Sequence, residues 1–233
     1  MLNVAYIEAT DISDAWYQLV DLIFEKGKKF KIDSGSYAGT YRLEFDYVTV
    51  RITSPGVRPL APSIPPGMNI PNPTSDDYIE NEYFYYLVDD QKKPNESYTY
   101  GTYIKPQMQM IIERYKELFQ KTRGYRSNQE HIIVGDWANH LYLEDPPCLR
   151  SIDTRIQDNK LHFFLYFRSW DLWGGFPSNM GGLQLMKEYM AKEIGVEDGE
   201  LVASSKGLHL YDYSWDSAKL RSYRKSEKGC DEK

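Results

Sequence analysis

The stretch from Leu149 to Phe167 limits the folds open to this chain more than any other. Leu149 to Arg155 reads as one strand and Lys160 to Phe167 as its partner. Asp158-Asn159 stands between them, a pair of residue types that tolerates the backbone of a tight hairpin turn. The second strand, Leu161-His162-Phe163-Phe164-Leu165-Tyr166-Phe167, is nearly all apolar, so it is expected at the centre of a sheet with both faces covered. Asp145-Pro146-Pro147-Cys148 enters the hairpin and Arg168-Ser169-Trp170-Asp171 leaves it. The thiol of Cys148 and the guanidinium of Arg168 are therefore expected close together on neighbouring strands.

The rest of the chain supplies elements around that hairpin. Residues 2–8 can start a strand, and Ser13 is the expected N-cap of a helix carrying Ala15, Trp16, Leu19, Leu22 and Ile23, stopped by Gly27. Over residues 40–53, Tyr41, Leu43 and Phe45 share one face while Val48, Val50 and Ile52 fall on a face shifted by one, which predicts a bulge or turn at Asp46-Tyr47. The proline-rich stretch 55–73 reads as a long irregular loop beside the cleft. Asp76 to Val88 reads as a helix with Ile79, Tyr83, Tyr86 and Leu87 on one face. Residues 106–119 read as a second, burying Met110, Ile111, Tyr115, Leu118 and Phe119, with Pro106 in its first turn. His131 to Val134 is a short buried strand. Asn179 is the expected cap of a helix bearing Leu183, Met186, Tyr189, Met190 and Ile194, and Gly181-Gly182 within it predicts close approach of another element. Leu201 to Ala203 and Leu208 to Tyr211 read as strands. The expected class is α+β, a mixed sheet with helices on one side, in a single domain over residues 1–224, followed by a polar tail, 225–233, expected to be disordered.

A net charge of −6 over 233 residues argues against a general nucleic-acid binder, though a few arginines can still form a local positive pocket. Cys148 and Cys230 are the two cysteines, so a reduced thiol in the cytoplasm is the expectation, and no apolar run suggests a membrane partner. Tyrosines cluster over residues 78–103 and predict a half-wet cleft or interface. A cysteine beside arginine is expected to be partly thiolate and nucleophilic, and Arg150 and Arg168 both qualify. On residue types alone, a buried inert cysteine competes with that reading. A cysteine hydrolase would need a histidine base, and none of His131, His140, His162 and His209 has a spacing that implies a dyad.

Four motifs in order change the balance: Pro146-Pro147-Cys148, Arg168-Ser169-X-Asp171, Gly175-X-Pro177-X-Asn179 and His209-X-Tyr211. Together they resemble the thymidylate synthase family, which includes the pyrimidine nucleotide hydroxymethylases. The resemblance covers residues 130–215, with fainter matches around Ile79 to Leu87 and at Tyr100-Gly101. It implies a thymidylate synthase-like fold that forms a homodimer sheet to sheet. It also implies methyl transfer to C5 of dUMP, with 5,10-methylenetetrahydrofolate or a methanopterin-like analogue as the cofactor and no metal. By the same resemblance Cys148 is the nucleophile at C6, Glu82 the general acid–base acting through water, and Tyr100 the tyrosine near the C5 proton. Arg168 and Ser169 hold the phosphate, Asn179 reads the base, His209 and Tyr211 bind the sugar, and Asp171 bonds the pterin or else caps a turn. The alternatives are hydroxymethylation of dUMP or dCMP, in which water traps the intermediate, and a non-catalytic nucleotide-binding relative.

The departures from the pattern are specific. Alignment on Trp137 puts Glu130 and His131 where the family has two adjacent arginines lent to the partner subunit's phosphate; Arg123 and Arg126 are the expected substitutes. Leu149, Phe167 and Gly207 stand where the family has histidine, glutamine and aspartate. Arg42 is the candidate for its N-terminal phosphate arginine, and the polar tail replaces its apolar end.

Overall fold

The computed structural model describes residues 1–35, 37–92, 98–121, 127–138, 140–143 and 145–222. The hairpin is its centre. β6 (Leu149–Gln157) and β7 (Lys160–Phe167) pair antiparallel, and Asp158 and Asn159 turn between them with φ of 53° and 60°. On its other side β7 pairs parallel with β9 (Glu197–Ser205). The six-stranded sheet runs β1 (Val4–Ala9), β4 (Tyr47–Ile52), β9, β7, β6, β5 (His131–Ile133).

The α+β class holds, but there are two sheets rather than one. β2 (Lys28–Lys31), β3 (Tyr41–Phe45), β10 (Leu208–Tyr211) and β8 (Trp170–Asp171) form a separate four-stranded sheet. The alternation break at Asp46 is the point where the chain passes from one sheet to the other. There the Asp46 carboxylate accepts the Asn3 N–H and the Lys28 ammonium, both at 2.5 Å.

β7 is central, yet its two faces differ. Leu161, Phe163, Leu165 and Phe167 are buried, while Phe164 is 38% exposed. The long helix α5 (Gly175–Ile194) packs on β7, β8 and β9, and the opposite face is open in the single chain. The expectation of a strand covered on both sides is thus corrected. On edge strand β5, Ile132 is buried and Ile133 is exposed, so that strand is only half buried.

Three helix starts differ from the sequence reading. Asp11, not Ser13, caps α1 (Ile12–Lys26), its carboxylate accepting from Asp14 N at 2.8 Å. The helix begins a residue before Ser13 because Ile12 joins Ala15, Trp16 and Leu19 in the core. The helix expected at 106 starts at Gly101 and runs as α4 to Lys121, with Pro106 inside it. The Thr99 hydroxyl accepts the Thr102 N–H and so supplies a start that outranks proline's preference for a first turn. The stripe it buries is Ile104, Met108, Ile111, Ile112 and Tyr115, while Met110 is 68% exposed.

Asn179 is not a cap; it lies inside α5, whose N-cap position is Gly174. Residues 76–88 are helical as expected, but with a π turn, Ile79–Tyr83, between the α segments α2 (Asp76–Tyr78) and α3 (Phe84–Val88). This is the element that Gly181 and Gly182 admit. A Cβ at Gly181 would meet Ile79 Cδ1 at 2.8 Å, and one at Gly182 would meet Tyr83 Cδ1 at 2.6 Å. Close approach there carries Tyr83 onto α5. No helix among the described residues is long and apolar enough to cross a membrane.

Candidate active site

Cys148 sits at the mouth of the β6–β7 hairpin, half-buried and free. Its carbonyl accepts the Arg168 N–H at 2.8 Å, so backbone pairing alone sets thiol and guanidinium side by side. The Arg168 guanidinium is already engaged: it donates to Asp145 at 3.0 Å and to the carbonyls of Pro146 and Pro147. The expectation of an arginine-lowered thiol is overturned as a result. Burial pushes the Cys148 thiol above its ordinary range, Arg168 pulls against it, Asp145 reinforces the rise and Arg150 opposes it. Arg150 is near enough to act on the thiol, and its Nη1 is buried without a hydrogen-bond partner. No histidine is among the charged groups that shift the thiol.

A prediction follows from that balance. Asp145→Asn removes a negative charge and loosens the clamp on Arg168, so more of Cys148 should be thiolate at neutral pH. Alkylation by iodoacetamide should then run several-fold faster at pH 7 than in the parent, with its pH profile displaced to lower pH. An unchanged profile would mean that Asp145 does not govern the thiol.

Tyr100 is buried beside Cys148 and accepts the Leu149 N–H at 3.2 Å through its hydroxyl. Burial pushes its phenol up to about 12, and the neighbouring Cys148 adds to the rise. Tyr86 and Tyr98 meet its ring edge-on, at 5.2 and 5.5 Å between centroids. The tyrosine cluster is therefore partly a wall of this site. Asn179 has a fixed amide. Trp170 Nε1 can only donate, so it sets Asn179 Oδ1 at 2.8 Å, and Asn179 Nδ2 donates to the Tyr83 hydroxyl. One N–H and one lone pair of the amide remain for a ligand.

Two cavities adjoin these residues. One, of about 610 Å3, is lined by Asn179, Ser178, Tyr83, Tyr78 and Thr74 together with the end of the proline-rich stretch at Asn72 and Pro73. The other, of about 500 Å3, is lined by Arg168, Ser169, Arg42, Glu44, Asp46 and Lys206. Asp171 accepts the N–H groups of Trp173, Gly174 and Gly175, so it performs the capping role that the sequence reading allowed it.

The four-stranded sheet gathers the rest. His209 pairs in register with Glu44 on one side and Asp171 on the other, and Tyr211 pairs with Arg42. The His209 and Tyr211 rings touch at 4.6 Å, so the two do share a face. Tyr37 stacks on Tyr211 at 4.3 Å. Glu82 stands exposed on the π turn, the kind of helix irregularity that recurs at functional sites. Arg123, Arg126 and Cys230 lie outside the described residues, as does the tail 225–233. Lys206 was missed by the sequence reading, since a lone lysine in a turn carries no signal by itself.

Burial pushes both His162 and His209 below the ordinary histidine range. On acidification the unfolded chain protonates these groups first. Stability is therefore complete above about pH 6.5 and falls as pH drops below it. Urea midpoints measured at pH 7.5 and 5.5 should show the loss, and His162→Gln should shrink it.

The comparison with known families and proteins accords with this arrangement. The family model described as thymidylate synthase matches residues 82–231. A protein of Methanosarcina mazei named "Putative thymidylate synthase" is 29% identical over 218 residues, covering 90% of this chain and 91% of its own length. A protein of the same name from Methanosarcina acetivorans is 28% identical over the same shares. One from Methanothermobacter thermautotrophicus is 26% identical over 225 residues, 91% of this chain and 96% of its own.

Proposed function

The chain belongs to the thymidylate synthase family, and from that premise we propose that it transfers a one-carbon unit to C5 of dUMP through covalent catalysis by Cys148, yielding dTMP. The observation that carries this reading is the meeting of Cys148, Tyr100 and Arg168 at one end of the hairpin, flanked by a cationic cavity and an aromatic one.

The Cys148 thiolate adds to C6 of the pyrimidine, and the ring's electrons move toward the C4 oxygen, leaving C5 nucleophilic. Arg168 favours the thiolate once a ligand loosens its tie to Asp145. Glu82, exposed to water, acts as general acid–base toward the C4 oxygen through that water. Tyr100 lies beside the sulfur, where the C5 proton must leave. After one-carbon transfer and loss of that proton, hydride or water adding to the new carbon would expel Cys148 and restore the C5–C6 double bond. Asn179 presents one acceptor and one donor, which match the N3–H and C4 oxygen of uracil rather than the edge of cytosine. His209 and Tyr211 serve the sugar.

The larger cavity fits a reduced pterin in size and in its tyrosine walls, and Asp171, which holds the N–H groups of its lining residues Gly174 and Gly175, would bond a ring N–H. Such a cofactor supplies the one-carbon unit and, for a methyl product, a hydride. The open face of the six-stranded sheet, with Phe164 and Tyr6 exposed on it, supports pairing of two copies face to face.

Incubation with dUMP tritiated at C5 and methylenetetrahydrofolate, or its methanopterin analogue, should release tritium to water. No release from dUMP or dCMP with either carrier rejects the enzymatic reading. The mass of the product distinguishes methyl from hydroxymethyl.

A further inference from the structure

We propose that Lys206 and Arg42 join Arg168 and Ser169 in holding the 5′-phosphate of the nucleotide, and that Glu44 is the carboxylate the phosphate displaces from Arg42. The proposal rests on the nucleotide reading above and deepens it.

Among the described residues, the positions of the expected arginine pair carry no cation. Glu130 stands at one of those positions; it is 1% exposed and bound to Arg114 at 2.6 Å. His131, at the other, faces Asp153 at 3.8 Å. Neither offers a cation to a phosphate.

The four-stranded sheet builds one elsewhere. Gly207 turns the chain between β9 and β10 with φ of 90°, a conformation that favours glycine over the aspartate of the family pattern. Its N–H bonds the Phe45 carbonyl of β3 and its carbonyl accepts the Trp170 N–H of β8. That turn therefore brings Lys206, on one side, level with Arg168 and Ser169, which precede β8, and with Arg42 and Glu44 of β3. All five line the same cavity of about 500 Å3.

The pair at its wall is poorly satisfied. Arg42 Nη2 lies 2.6 Å from Glu44 Oε2, but Arg42 Nε is buried without a hydrogen-bond partner. Burial pushes the Glu44 carboxyl up, with Arg42 pulling against it. Asp46, the other acid of the cavity, is neutralised by Lys28. A phosphate dianion offers Arg42 a bidentate partner in place of the single contact that Glu44 makes, and finds Lys206 exposed at the rim.

The test is titration of the full chain with dUMP at pH 8, and with deoxyuridine, which lacks the phosphate. Lys206→Ala and Arg42→Gln should each weaken dUMP binding about tenfold and leave deoxyuridine binding unchanged. Glu44→Gln should tighten dUMP, because the competing charge is gone. Lys206 is an exposed turn residue, so Lys206→Ala keeps the fold, which the melting temperature verifies. If dUMP affinity survives both cation substitutions, or if dUMP and deoxyuridine weaken alike, the assignment is overturned; unchanged or weaker dUMP binding by Glu44→Gln overturns the displacement. A parent protein that releases C5 tritium while these variants bind normally keeps the enzymatic reading and loses only this one.

Discussion

Cys148→Ser should reduce tritium release from C5 of dUMP by about four orders of magnitude or more. A serine hydroxyl has nearly the same shape as the thiol but is not appreciably ionised at any working pH, so it cannot add to C6. In the proposed mechanism Tyr100, Glu82 and Arg168 act on the adduct or on the thiolate that forms it, and none of them substitutes for a missing nucleophile. The fold should be indifferent to the change. The structural contact at this position is the carbonyl that accepts the Arg168 N–H, and serine keeps it. Melting temperature and dUMP binding should therefore stay close to those of the parent while exchange disappears. Exchange at the parental rate would remove covalent catalysis from the account.

Gly101→Ala should destabilise the protein by about 3 kcal/mol or more, at or beyond the upper end for overpacked sites. A Cβ on Gly101 would lie 1.9 Å from the Asp89 carbonyl oxygen and 2.3 Å from its carbon. Those are backbone atoms, and they cannot rotate away as a side chain would. The Asp89 carbonyl also accepts the Thr99 hydroxyl, so the start of α4 and the end of the 76–88 helix are locked together at this point. Pushing them apart moves Tyr100, the preceding residue, away from the Leu149 N–H. Urea denaturation reads the first effect, and the rate of C5 exchange in whatever remains folded reads the second. A parental midpoint would mean that α4 can shift its start at little cost.

The two experiments bear on features of different visibility. The family was legible because its four short motifs stand in the chain in one order. The Asp158-Asn159 turn and the close approach at Gly181-Gly182 were legible because backbone conformation and missing side chains leave local marks. Gly101 carried a mark too, but what it meets is a carbonyl twelve residues earlier, reached only when two helices dock.

Residue order by itself determined the hairpin, the placing of Arg168 beside Cys148, the α+β class and the family. Each follows from local pattern or from chemistry that tolerates few substitutes. Only the tertiary structure decided that β3 leaves the main sheet to pair with β10, which sets Arg42 and Glu44 beside Tyr211 and His209 across more than 160 residues of chain. It alone decided that the resting thiol is raised rather than lowered, since burial, the Asp145 clamp and two guanidinium charges must be summed at one point in space. Periodicity reports which face of a strand is apolar; it is silent about which distant strand lies next to it, and electrostatics depends on that distance.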